Sequence, residues 1–145
     1  MDTNYYKIPQ SFSNMIKGKA LEKTTLELSV KQHLNLLVMN RVGSFRYDEN
    51  YGSIILEKDF ESTIYTSPSA WCQSIQIQLS EAVKMYEKRL AKDSIALNVE
   101  EYRTKDSYEK SIQITVKGTL LDYWNSPLEI KFLLNVSPIL SLTVL

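Results

Sequence analysis

A chain of 145 residues, 43% of them apolar, amounts to one ordinary domain, long enough to bury about two thirds of the surface that its unfolded form exposes. Seventeen Lys and Arg balance seventeen Asp and Glu, so no global field draws the chain toward nucleic acid or an anionic membrane, and its expected partners are proteins. Cys72 is the only cysteine and His33 the only histidine, which excludes an internal disulfide and a Cys/His zinc spacing; no metal or cofactor is expected, and a reducing cytoplasm is the expected setting.

The first residues, MDTNYYKIPQSF, have neither the basic start nor the apolar core of a signal peptide, and no apolar run approaches the ~20 residues of a membrane-spanning helix, so membrane insertion is not expected. Residues 1–27, of mixed polar composition with Pro9 and Gly18, are expected to form an arm that orders only by packing on the domain or on a neighbour. Ser29 with Gln32 has the form of a capping box and places a helix start near Val30. Val30, Leu34, Leu37, Val38 and Val42 then form one buried stripe, and Gly43 suits the end of the helix. Asp48, Glu49, Asn50 and Gly52 mark a loop. Its Arg46, Tyr47 and Tyr51 are favoured interface anchors, while the same composition also fits a turn held by its own side chains with Tyr51 in the core. Residues 54–64 predict a short strand or a short helix.

Ser67 before Pro68 starts a long helix, predicted to run to about Ala91 with Trp71, Ile75, Leu79, Ala82, Val83, Tyr86 and Leu90 on its buried stripe. Trp71 is expected in the core, and His33 and Cys72 are expected to be structural. On such a helix Glu87 and Arg89, two residues apart, point in different directions and do not pair; both are expected on a polar face, with Arg89 in reach of Asp93. The period then changes to alternation. Ile95, Leu97 and Val99, then Ile112, Ile114 and Val116, then Leu128, Ile130, Phe132, Leu134 and Val136 each describe a strand with one buried face. The linkers are Thr104 to Glu109 and Tyr123 to Pro127. Gly118 predicts a bulge or a close backbone approach. The expected fold is α+β, an antiparallel sheet of three or more strands covered by two main helices, spanning residues 28–138. The apolar tail Ile139 to Leu145 gains about 8–15 kcal/mol from burial and loses about 7–14 to backbone ordering, so it needs a strand partner, in its own sheet or in another chain.

Two short segments resemble a known family. Arg41, Val42 and Gly43 lead to Tyr51 and Gly52 in a run similar to the "T-x-x-G-E-R … P-x-Y-G" segment of the small TssE-like baseplate-wedge proteins of type VI secretion systems and contractile phage tails. Gly43, Arg46, Tyr51 and Gly52 fit, whereas Asn40, Ser44 and Asn50 stand where the family has Thr, Glu and Pro. Tyr86, Glu87, Lys88, Arg89 and Leu90 resemble the family's Glu-Pro-Arg signature, with Lys88 in place of Pro. The resemblance spans roughly Pro9 to Val136. It implies a non-enzymatic baseplate subunit, present in several copies around a six-fold baseplate, that joins large wedge subunits to the first ring of the contractile sheath. Glu87, Lys88 and Arg89 would contact the wedge subunits. A sheet edge formed or supported by the C-terminal region, with Leu128, Ile130, Phe132, Ile139 and Leu142, would meet the sheath. A phage-tail wedge protein is the alternative within the same fold. A cell-wall glycosidase is the alternative of another class; its carboxylate candidates are Glu57, Asp59, Glu61, Glu81 and Glu87, none of which the sequence places in an apolar pocket.

Overall fold

The structure is a computed structural model that describes residues 5–57, 66–103, 111–135 and 141–145. The N-terminal arm is built on a small antiparallel pair, β1 (Tyr5–Tyr6) with β2 (Lys23–Thr24), which brackets a short helix, α1 (Phe12–Ile16). Thr25 then caps α2 (Leu26–Met39), its hydroxyl accepting the Leu28 N–H at 3.3 Å. The helix therefore starts about a turn before the expected capping box. Thr25 takes the cap because a start at Leu26 turns Ser29 inward, where it is buried, and leaves Gln32 free to accept the Ile8 N–H at 3.0 Å and so bind the arm to α2.

The long helix α3 (Pro68–Tyr86) has its proline in the first turn and buries Trp71, Cys72, Ile75, Leu79, Ala82 and Val83. Trp71 is in the core, as its place on the stripe predicts. The helix ends at Tyr86 and not near Ala91: Glu87 turns to extended backbone (φ −100°, ψ 90°) after its N–H closes the last helical bond to the Val83 carbonyl. Leu90 is buried, but it pairs with Leu120 in an isolated bridge while the Ala91 N–H bonds the Thr119 carbonyl, so the chain leaving the helix is fastened to the sheet.

After a single 3-10 turn (Lys92–Ser94) come β3 (Ala96–Tyr102), β4 (Ser111–Thr119), β5 (Pro127–Asn135) and β6 (Ser141–Val144), a four-stranded antiparallel sheet in sequence order. The register sets Leu97 opposite Val116, Val116 opposite Ile130 and Ile114 opposite Phe132, so the alternating apolar residues share one face and pack with Leu34, Leu37, Ile75, Leu79 and Val83 of the helices. The α+β arrangement matches expectation. Gly118 stays in register opposite Leu128, so it makes no bulge; a Cβ there would lie 3.3 Å from Leu90 Cδ2, which is the close approach.

Two expectations change. β5 is not an edge: Leu128, Ile130 and Phe132 are buried, β4 pairs along the whole strand, and β6 pairs with Phe132 to Asn135 on the other side. The described part of the tail pairs in its own sheet, with Leu142 opposite Leu134, and among the described residues the outer strands are β3 and β6. Of residues 54–64, 54–57 form a turn with Ile55 buried, and 58–64 lie outside the described residues. Asp59, Glu61, the Thr104 to Glu109 linker, Val136, Pro138 and Ile139 lie outside the described residues. Among the described residues no helix is long and apolar enough to cross a membrane.

Candidate functional site

Where α3 gives way to the sheet, Glu87 and Arg89 pair with each other, because the extended backbone at Glu87 carries its side chain back over the turn. The carboxylate accepts four hydrogen bonds: from the Arg89 backbone N–H (3.0 Å), Arg89 Nε (2.8 Å), Arg89 Nη2 (2.8 Å) and His33 Nδ1 (2.7 Å). A carboxylate only accepts, so His33 carries its proton on Nδ1. Arg89 Nη1 donates onward to Ser29 Oγ at 2.7 Å, its guanidinium lies 5.7 Å from the centre of the Tyr5 ring, and its carbonyl accepts the Leu121 N–H at 2.8 Å. One turn thus joins the arm, both long helices and the sheet. The Glu87 side chain is 1% exposed and that of Arg89 29%. Glu87 is therefore not on a solvated helix face, and Arg89 bonds it in place of Asp93. Lys88, at the tip of the turn, is exposed.

Loss of water by itself pushes the Glu87 carboxyl up, but the bonds from the Arg89 side chain, His33 and the Arg89 N–H overcome it and hold the pKa down at about 2. A glycosidase acid needs the opposite shift. Glu81 is exposed on α3 and Glu57 half-buried beyond the loop, and neither is placed in the Glu87 cluster. The site is built to hold a charged pair in one geometry.

The loop after α2 packs onto this turn. Tyr51 stacks on His33 (ring centres 6.1 Å apart), meets Tyr86 edge to face (5.0 Å) and touches Phe45 (5.5 Å), while the Tyr86 hydroxyl donates to Asp48 at 2.8 Å. In the loop Tyr51 packs against the core, whereas Arg46 and Tyr47 are exposed, with the Arg46 guanidinium 6.0 Å from the Tyr47 ring centre. Burial, and then the nearby Glu87 charge, push the Tyr51 hydroxyl pKa up. Gly52, at φ +125°, is required, since a Cβ there would sit 2.5 Å from the Asn40 carbonyl oxygen. Gly43, at φ +80°, donates its N–H to the Glu49 carbonyl. Gln78 of α3 pins the loop, accepting from the Ile54 N–H and donating to the Gly52 carbonyl.

The two sequence signatures therefore pack against each other. Among the predicted site residues the structure joins Tyr51, Gly52, Glu87 and Arg89 and leaves Arg46, Tyr47 and Lys88 at the rim. Leu128, Ile130, Phe132 and Leu142 sit in the sheet. Ser29, His33 and Asp48 complete the cluster. Their partners lie far away in sequence, and the one local sign was that Ser29 and His33, four apart, share a face of α2 beside its apolar stripe.

Residues 24–123 match the model of the family described as baseplate wedge protein gp25. No curated protein sequence matches. Among solved structures, a chain of "The baseplate complex from the type VI secretion system" has a TM-score of 0.60 at 18% identity, covering 76% of this chain and 93% of that one, a likeness of fold. The family match spans more than half of the chain and takes in α2, the loop, α3 and the Glu87–Arg89 turn; the chain belongs to the baseplate wedge protein gp25 family.

Proposed function

We propose that the protein is a structural subunit of a type VI secretion baseplate, working in the cytoplasm in several copies around a six-fold assembly, where it links large wedge subunits to the first sheath ring. The observation that carries this is the family match over residues 24–123. The likeness of fold to a chain of a type VI baseplate complex favours secretion over a phage tail. Glu87 is too buried to meet a partner, so its part is to hold Arg89 and the turn in shape. The contact then falls to Lys88, the open side of Arg89, and Arg46 and Tyr47 on the rim. A charge-reversed Lys88→Glu should keep the melting temperature and lose co-purification with the wedge subunits. Full co-purification of a folded Lys88→Glu protein removes this turn from the contact.

The sheath contact is assigned to the outer edge of β6. Leu145 donates its N–H to Lys131 of β5, so by alternation Thr143 also faces β5 while Leu142 and Val144 turn their N–H groups outward. Such an edge accepts an added strand, and a sheath strand pairing there would template the first ring. Val144→Pro removes one outward donor and leaves the β5 ladder intact. In cells, fluorescent sheath foci should disappear with Val144→Pro while wedge binding persists; normal foci would shift the contact to another edge.

A further inference from the structure

The turn between β4 and β5 exposes Tyr123 by 88% and Trp124 by 80%, with Leu121 beside them at 58%. Large aromatic side chains add nothing to the core from such a position, and Trp and Tyr are the residues that most often anchor protein interfaces. The turn is held rigid. Asp122 accepts from the Ser126 N–H (2.9 Å) and the Ser126 hydroxyl (2.7 Å), the Leu120 N–H bonds the Ser126 carbonyl (2.8 Å), and Asn125 takes the left-handed conformation (φ 48°) that Asn tolerates. The two rings meet edge to face with centres 4.8 Å apart. A preformed pair of anchors loses little freedom on binding.

The position of this turn identifies its occupant. Leu121 donates to the Arg89 carbonyl and Leu120 pairs with Leu90, so the aromatic tip is continuous with the Glu87–Arg89 turn. On the chain leaving that turn Lys88 and Lys92 are exposed, against the single exposed carboxylate of Asp93, and have no ion-pair partner among the described residues, while the Asp122 carboxylate is taken up inside the aromatic turn. We propose that Tyr123 and Trp124 are a second anchor for the partner that receives the Glu87–Arg89 turn, and that they insert into an apolar pocket of that partner rimmed by carboxylates. The inference rests on the wedge-binding reading above.

The test uses the full chain co-expressed with the large wedge subunits. Of the two tryptophans Trp71 is buried, so tryptophan oxidation by hydroxyl radical in the free protein should fall on Trp124, and this oxidation should be suppressed in the complex. Tyr123→Ala with Trp124→Ala should keep the melting temperature and weaken the complex at least about tenfold, with Trp124→Phe retaining most of the affinity. A complex in which Trp124 oxidises as in the free protein, or a double variant that binds within about twofold of wild type, overturns the proposal. So does protection of Trp124 by anionic lipid vesicles without protection in the complex. Failure of the wild-type protein to bind the wedge subunits at all sinks the wedge reading and, with it, this anchor.

Discussion

Glu87 is worth more to stability than a carboxylate at the end of an exposed helix, because four hydrogen bonds converge on a side chain almost out of water. Its pKa is about 2 in the folded protein against 4.5 as the ordinary value, so the native state holds the charged form more tightly than the unfolded chain does. The stabilisation is complete above pH 4.5 and lost as the pH falls toward 2; the shift corresponds to about 3 kcal/mol. Urea unfolding should therefore show wild type losing stability steeply over that interval, with Glu87→Gln about 2–3 kcal/mol less stable at pH 7 and flatter in acid. Equal acid slopes for the two proteins would place the effect on other carboxylates. Arg89→Ala should cost about 3–5 kcal/mol, since it strips a buried charge of its main partner. Gly52→Ala fails for a different reason, backbone against backbone at the Asn40 carbonyl, and should cost about 2 kcal/mol or more by the same measurement.

Among the elements, the strands were the most legible in sequence, because alternation of apolar residues reports directly on a one-sided sheet. Ile112, Ile114, Val116, Leu128, Ile130, Phe132 and Leu134 all face the core as their spacing requires. Helix ends were less so. Thr25 and Ser29 are both competent caps, and tertiary partners distinguish them, since Ser29 bonds Arg89 and Gln32 bonds the arm. At the other end Leu90 keeps the helical spacing and is buried, yet through a bridge to Leu120, so periodicity overran the true end at Tyr86. The pairing of Glu87 with Arg89 was hidden by the same error. For the tail, local pattern set the need for a strand partner but not which one; that choice is made by the free edge of β5. Deleting Ile139 to Leu145 should lower stability by about 1–3 kcal/mol and promote self-association through the uncovered β5, seen as a lower melting temperature and a larger species on size exclusion. A truncated monomer that melts with wild type would show that β6 docks too weakly to matter.

Across the whole molecule, charge neutrality leaves recognition to local surfaces, and these gather where chain segments remote in sequence meet. Every pairing in the main sheet is between consecutive strands, whereas Glu87 reaches back 54 residues to His33 and Arg89 reaches 60 to Ser29. Short-range pairings close early in folding and long loops close late. The sheet should thus gain amide protection in pulsed hydrogen exchange before the N–H group of Leu121, which bonds the Arg89 carbonyl, does; simultaneous protection would argue against this order. The Arg89–Ser29 bond then acts as a clasp that shuts only on a finished molecule. Under the proposed wedge contact, an assembly gripping the protein at that clasp would proofread its own building blocks, admitting a subunit only after α2 and the sheet have found each other.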